Sequence, residues 1–135
     1  MRIALDTNVL LRAVTGDDEA QQQLALEVLE SADVVAVSVL SLCEFAWVMA
    51  RGYRASRDDI AGAIRRIVDL RNVATDRPAV EAGLAVLEAG GDFADGVIAH
   101  EGRWLGGETF VSFDVQAVRL LAEAGQAARL LHKPG

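Results

Sequence analysis

The sequence predicts an α/β fold, with a mainly parallel sheet covered by helices on both faces. Three observations carry that prediction. Short apolar runs of strand length alternate with longer stretches of helical character, the pattern of repeated strand–helix units. Two of those runs, Ile3-Ala4-Leu5 and Thr109 to Ser112, lead into an aspartate, Asp6 or Asp114, where a helix begins. At 135 residues, 52% hydrophobic and 24% charged, the chain has the size and composition of one domain, residues 1–135, with a substantial core.

The elements follow in order. A strand over Arg2 to Leu5 precedes a short helix from Thr7 to Val14. A second helix runs from about Asp18 to Ser31, with Leu24, Val28 and Leu29 on its apolar face. Strand Val34 to Val37 leads into a helix that Ser38 caps and that stops at Ala50, before Gly52; its apolarity nearly all round marks it as buried. Ser56-Arg57-Asp58-Asp59 resembles a capping box opening a helix to about Leu70, and a short strand follows over Asn72 to Thr75. Pro78 suits the first turn of a helix that reaches Glu88 and ends at Gly90-Gly91. A further helix starts near Asp92 and ends near Gly106-Gly107. Thr109 to Ser112 reads as a strand, Asp114 to Ala124 as a helix, and Ala128 to Leu131 as a last strand. No repeat, low-complexity segment or Pro/Gly/Ser linker divides the chain.

Composition excludes several classes. The longest apolar run, Val34 to Ala50, is 17 residues and holds Ser38, Ser41 and Glu44, too short and too polar to span a membrane. An early Asp6 interrupts any secretory core, so a cytoplasmic protein is expected. A single cysteine, Cys43, allows neither an internal disulfide nor a cysteine-rich zinc site, and its apolar surroundings favour an inert packing thiol. The net charge of −7 is unevenly spread. Between Arg51 and Arg77 stand seven arginines against four aspartates, a local +3, while the remainder carries six basic and sixteen acidic residues. That segment is a candidate to meet phosphate, or simply a solvated helix face of mixed charge.

Four carboxylates, Asp6, Glu44, Asp95 and Asp114, lie inside or at the end of otherwise apolar stretches, where an unpaired buried charge costs on the order of several kcal/mol. In an open parallel sheet ligands bind beyond the carboxyl ends of the strands, and Asp6 and Asp114 both follow strands. Each acid has an ordinary explanation. Asp6 and Asp114 are well placed to cap helices, and Asp92 and Asp95 have the spacing of a capping box. Glu44 fits least well, being in mid-helix on one face with Leu40, Trp47 and Val48, with an arginine brought in by the fold as its remaining structural partner.

Taken together, Asp6-Thr7-Asn8-Val9-Leu10, the helical Glu44, Asp92-Phe93-Ala94-Asp95-Gly96-Val97-Ile98-Ala99 and Ser112-Phe113-Asp114 resemble the PIN-domain nuclease pattern over nearly the full chain. The size resembles that of stand-alone VapC-type toxins of bacterial toxin–antitoxin pairs. The resemblance implies a PIN-like fold, a twisted, mainly parallel sheet of four to five strands flanked by helices on both faces. It also implies a metal-dependent endoribonuclease in which Asp6, Glu44, Asp95 and Asp114 are the catalytic acids and metal ligands. Asp92 is a frequent companion, and Asn8 and Ser112 match positions that orient the acids or the water. It further implies a cognate VapB-type antitoxin that places a basic side chain among the acids, and a homodimer. Gly96 stands where the family usually has alanine, a change expected to weaken the helix by about 0.5–1 kcal/mol.

The chemistry leads to the same place. Two carboxylates about 5 Å apart repel by roughly 3 kcal/mol at an effective dielectric of about 20, so a cluster of four calls for a cation or for proton uptake. Hard oxygen donors favour Mg²⁺ or Mn²⁺, and no histidine pair or cysteine set is spaced for zinc; His100 reads as a helix-surface residue, and His132 lies in the C-terminal tail. Arg12, Arg65 and Arg66 are candidates to hold the RNA backbone. Trp47, Tyr53 and Trp104 suit a core or an interface, Trp47 the core. A haloacid-dehalogenase-type phosphatase needs a second aspartate where Asn8 stands, and a response-regulator receiver needs a lysine after a late strand, whereas the only lysine is Lys133. The remaining alternative is a non-catalytic PIN-like module that binds RNA or protein.

Overall fold

β-Branched Val34, Val35 and Val73 lie in the first sheet, where such side chains suit a pleated, half-buried surface. In the computed structural model, which describes residues 1–132, contacts divide the chain into two compact units, Met1–Arg77 and a second beginning at Pro78. The first contains β1 (Arg2–Ala4), α1 (Thr7–Val14), α2 (Glu19–Ser31), β2 (Val34–Ala36), α3 (Val39–Arg51), α4 (Arg57–Val68) and β3 (Val73–Ala74). Its sheet has the order β1-β2-β3 and is parallel throughout, with Ile3 opposite Val35 and Val35 opposite Val73. Val35, at the centre, is fully buried.

Helix ends in this unit follow local chemistry. Asp18, Ser38 and Ser56 each accept a backbone N–H three residues on, from Gln21, Ser41 and Asp59, at 3.0–3.1 Å. Asn72 closes α2 from a distance, its amide donating to the carbonyls of Leu29 at 2.8 Å and Ala32 at 2.9 Å, groups that a helix end otherwise leaves unpaired. The core is built from Leu10, Leu42, Phe45, Ile60 and Ile64. Two expectations are corrected. On α2 the buried stripe is Ala25 and Leu29, while Leu24 and Val28 are exposed and line a surface cavity beside α1. Helix α3 is amphipathic rather than buried all round: Leu40 and Trp47 are 68% and 63% exposed, so Trp47 is not a core residue, and Cys43 is only half-buried.

The second unit contains α5 (Arg77–Glu88), α6 (Phe93–Trp104), β4 (Phe110–Ser112), α7 (Val115–Glu123) and β5 (Ala128–Leu130), with α5 beginning at the last residue of the first. β4 and β5 pair in parallel, Val111 opposite Arg129. Within each sheet the strands are parallel, three in the first unit and two in the second. Val86, Ala99, Leu120 and Leu121 form a core cluster against which Phe110 and Ala128 pack. Among the described residues no helix is long and apolar enough to cross a membrane.

Close packing fixes where α6 starts. A methyl group on Gly83 would stand 2.6 Å from the Phe93 ring, and one on Gly96 would stand 2.2 Å from the Ala82 carbonyl oxygen and 2.8 Å from Gly83 Cα. Gly96 is thus the residue that lets α6 lie against the α5 backbone. Its loss of helix propensity is the smaller effect, since backbone cannot yield as a flexible side chain can. Gly96→Ala is expected to destabilise the protein by about 1–3 kcal/mol despite alanine's better propensity. Urea denaturation checks the sign, and a midpoint raised by alanine would contradict this packing.

Candidate acidic site

In the first unit Asp6 follows β1 directly and occupies the N-cap position of α1 with extended backbone, yet its side chain makes no capping hydrogen bond. Its carboxylate is exposed. The capping explanation for Asp6 is therefore not realised. Glu44, on α3, is exposed beside Leu40 and Trp47 instead of buried, and it meets no arginine. Its partner is Thr7, a buried residue whose hydroxyl donates to Glu44 Oε1 at 3.4 Å. The sequence reading passed over Thr7; the available signal was a hydroxyl directly after Asp6 at the start of a helix. Asn8, the next residue, is exposed and lines the cavity beside α1.

In the second unit three acids stand at helix starts. Asp92 is the N-cap of α6 without a side-chain capping bond, so the capping-box explanation fails there as well. Asp95 lies in the first turn of α6 and is half-buried; burial, then the charges of Asp92 and Asp114, push its carboxyl above the ordinary carboxylate range. Asp114 is the one acid that caps as expected, accepting the Ala117 N–H at 3.1 Å, while its own N–H donates to Ser112 Oγ at 2.9 Å. Ser112 thus fixes the turn that presents Asp114. The partial positive charge at a helix N-terminus favours carboxylates at such positions, which is the local reason the chain accommodates them.

Among the described residues none of Asp6, Glu44, Asp92, Asp95 and Asp114 has an ion-pair partner. No group of three or more His, Cys, Asp or Glu side chains among those residues is close enough to hold a metal ion. The donor chemistry, all carboxylate oxygen, fits a hard divalent cation. Comparison with protein families matches residues 3–121 to the PIN domain, a span that begins in the first unit, ends in the second and contains all five acids. The chain belongs to the PIN domain family. Comparison with curated protein sequences gives no match.

PIN domains are typically metal-dependent nucleases, and the α/β architecture, parallel within each sheet, is that of a PIN-like fold. Other predicted residues of this PIN domain fall as follows. Arg65 and Arg66 are exposed in the last turn of α4, and Arg12 pairs with Asp17 at 2.9 Å. His100 is half-buried, and its Nε2 is buried with no hydrogen-bond partner. His132 is exposed just past β5. Tyr53 and Trp104 are exposed, Trp104 at 80%.

The raised carboxyl of Asp95 has a consequence for stability. A protein whose acid holds its proton more tightly when folded loses stability as pH rises from the ordinary carboxylate value through the raised one. Asp95→Asn removes the ionisation and is expected to raise the melting temperature at pH 7 in EDTA, with the gain disappearing in acid where the wild-type carboxyl is also neutral. Thermal melts at both pH values check this; equal melting temperatures at pH 7 would show that Asp95 carries no such strain.

Proposed function

We propose that this PIN domain, residues 1–135 acting as one unit of function, is a metal-dependent endoribonuclease of the VapC type. In this reading it is the toxin of a cytoplasmic toxin–antitoxin pair. The observation that carries the reading is the set of carboxylates within the family match that has no ion-pair partner among the described residues. Among these acids only Asp114 makes a capping hydrogen bond.

Asp6, Glu44, Asp95 and Asp114 are the proposed ligands of Mg²⁺ or Mn²⁺, with Asp92 as an additional acid. When bound, the cation would lower the pKa of water and offset charge that develops on the phosphate oxygens. The chain's own contributions are positional. The Thr7 hydroxyl restrains Glu44, Ser112 restrains the turn at Asp114, and Asn8 sits one residue beyond Thr7 with an amide able to hydrogen-bond water or phosphate. The raised proton affinity of Asp95 and the loss of ligand charge on protonation together favour activity at neutral rather than acid pH. Arg65 and Arg66, exposed at the end of α4, are proposed to hold the RNA backbone with Arg12. A VapB-type antitoxin that places a basic side chain among the acids would supply the missing positive charge in the silenced state. The exposed aromatic residues Trp47 and Trp104 are candidates for a homodimer contact.

The test is incubation of the purified chain, freed of any copurifying partner, with total cellular RNA in Mg²⁺, Mn²⁺ or EDTA, followed by mapping of new 5′ ends. Discrete, metal-dependent cuts are expected. Asp6→Asn, Asp95→Asn and Asp114→Asn should each reduce them at least about a hundredfold while the protein stays folded. Intact RNA under every condition, with metal binding retained, would replace this reading with the non-catalytic binding module.

A further inference from the structure

Three donors in the first unit meet on one carboxylate that lies outside the acidic set. Asp17, in the loop between α1 and α2, accepts an N–H of Arg12 on Oδ1 at 2.9 Å and is 2.8 Å from the Thr15 hydroxyl on the same oxygen. Its Oδ2 accepts the Tyr53 hydroxyl at 2.7 Å. The Thr15 hydroxyl is also 2.8 Å from the Leu11 carbonyl, so its single proton is shared between the end of α1 and Asp17. Tyr53 comes from beyond α3, in a turn where its N–H donates to the Val48 carbonyl at 3.3 Å and Arg54 adopts a left-handed φ of 53°. The hydrogen bonds from Tyr53 and Thr15, then the Arg12 guanidinium, hold the Asp17 carboxyl down to about 2.

A loop staple needs its donors and acceptors to be mutually satisfied, and Arg12 goes beyond that. Of the five N–H donors of a guanidinium, only one finds a partner among the described residues. The side chain is 37% exposed and lines a cavity of about 470 Å³ together with Asn8, one helical turn earlier, and Gln21, against apolar walls that include Leu5, Val9 and Val28. Arg12 stands six positions beyond Asp6, about 9 Å along a helix axis and about 120° around it. A guanidinium fixed in place by an anion, with its remaining donors unused, loses less side-chain freedom when it meets a phosphate than a freely rotating arginine does.

We propose that Asp17, braced by Thr15 and Tyr53, is a positioning residue that holds Arg12 as a clamp for an RNA phosphodiester near Asp6. This rests on the nuclease reading above. Charge alone argues the opposite: removing Asp17 removes a negative charge beside a polyanion and should tighten RNA binding. Positioning requires that it weaken binding instead, and the sign separates the two.

The experiment is fluorescence anisotropy of a labelled single-stranded RNA of mixed sequence across a salt series. It uses the full chain carrying Asp95→Asn, which removes one repelling charge and disables cleavage. Arg12→Ala, Asp17→Asn and Tyr53→Phe are each expected to weaken binding about three- to tenfold, and Arg12→Ala to lower the salt slope by about one. Asp17→Asn should add no further loss once Arg12→Ala is present, a coupling that general loosening of the loop does not produce. Tighter binding by Asp17→Asn, or a loss of the same size in the Arg12→Ala background, overturns the proposal, as does a salt slope untouched by Arg12→Ala. Tyr53→Phe changes no charge and keeps the test open should Asp17→Asn unfold. Cleavage by the unsubstituted chain, followed in parallel, separates the two readings: RNA binding that depends on Asp17 without any cleavage sinks the nuclease and leaves the clamp.

Discussion

The structure turns on negative charge that has no ion-pair partner among the described residues. Asp6, Asp92, Asp95 and Asp114 stand at the N-terminal ends of α1, α6 and α7, where backbone N–H groups and the helix dipole give partial positive charge. Only Asp114 converts that position into a capping bond. Two acids outside this set do have cationic partners: Asp69 pairs with Arg77 at 3.0 Å, and Asp17 gathers Arg12, Thr15 and Tyr53. The acids of the set have none among the described residues, and it is their place in the family pattern that sets them apart from other exposed acids.

The remaining architecture serves to hold those acids still. Strands β1 and β4 end where α1 and α7 begin, so those two turns deliver Asp6 and Asp114, while Asp92 and Asp95 open α6 after the turn that follows α5. Thr7 and Ser112 then restrain individual groups, the first through the Glu44 side chain and the second through the Asp114 backbone. In the second unit Phe93 packs over Gly83, and Gly96 lies against the Ala82 carbonyl, so α6 has little room to shift. Asp95, between Phe93 and Gly96 in sequence, inherits that rigidity.

Much of this was legible in the sequence because the signals are local. Capping residues Ser38 and Ser56, the strand-then-aspartate junctions at Asp6 and Asp114, and the α/β alternation each depend on a few adjacent residues. What escaped depends on long-range packing. Periodicity alone placed Leu24 and Val28 in the core, but α2 turns its alanine and Leu29 inward. Trp47 and Leu40 suggested an all-buried α3, yet both are exposed on the face that carries Glu44. Gly96 read as a helix weakness and is instead a close approach of two backbones. Asn72 closing α2 and Tyr53 reaching Asp17 join residues 36 to 43 positions apart, beyond any local pattern. The family match extends over the whole acid set.

Titration of the metal-free protein with Mn²⁺ or Mg²⁺, followed by thermal melting, tests the central claim most directly. If the unpaired acids exist to receive a cation, saturating metal at about a hundred times its dissociation constant should stabilise the fold by roughly 2.7 kcal/mol, and Asp6→Asn, Asp95→Asn or Asp114→Asn should each reduce that gain. A melting temperature indifferent to either metal, in the wild-type chain and the variants alike, would mean that the carboxylates are not a cation site.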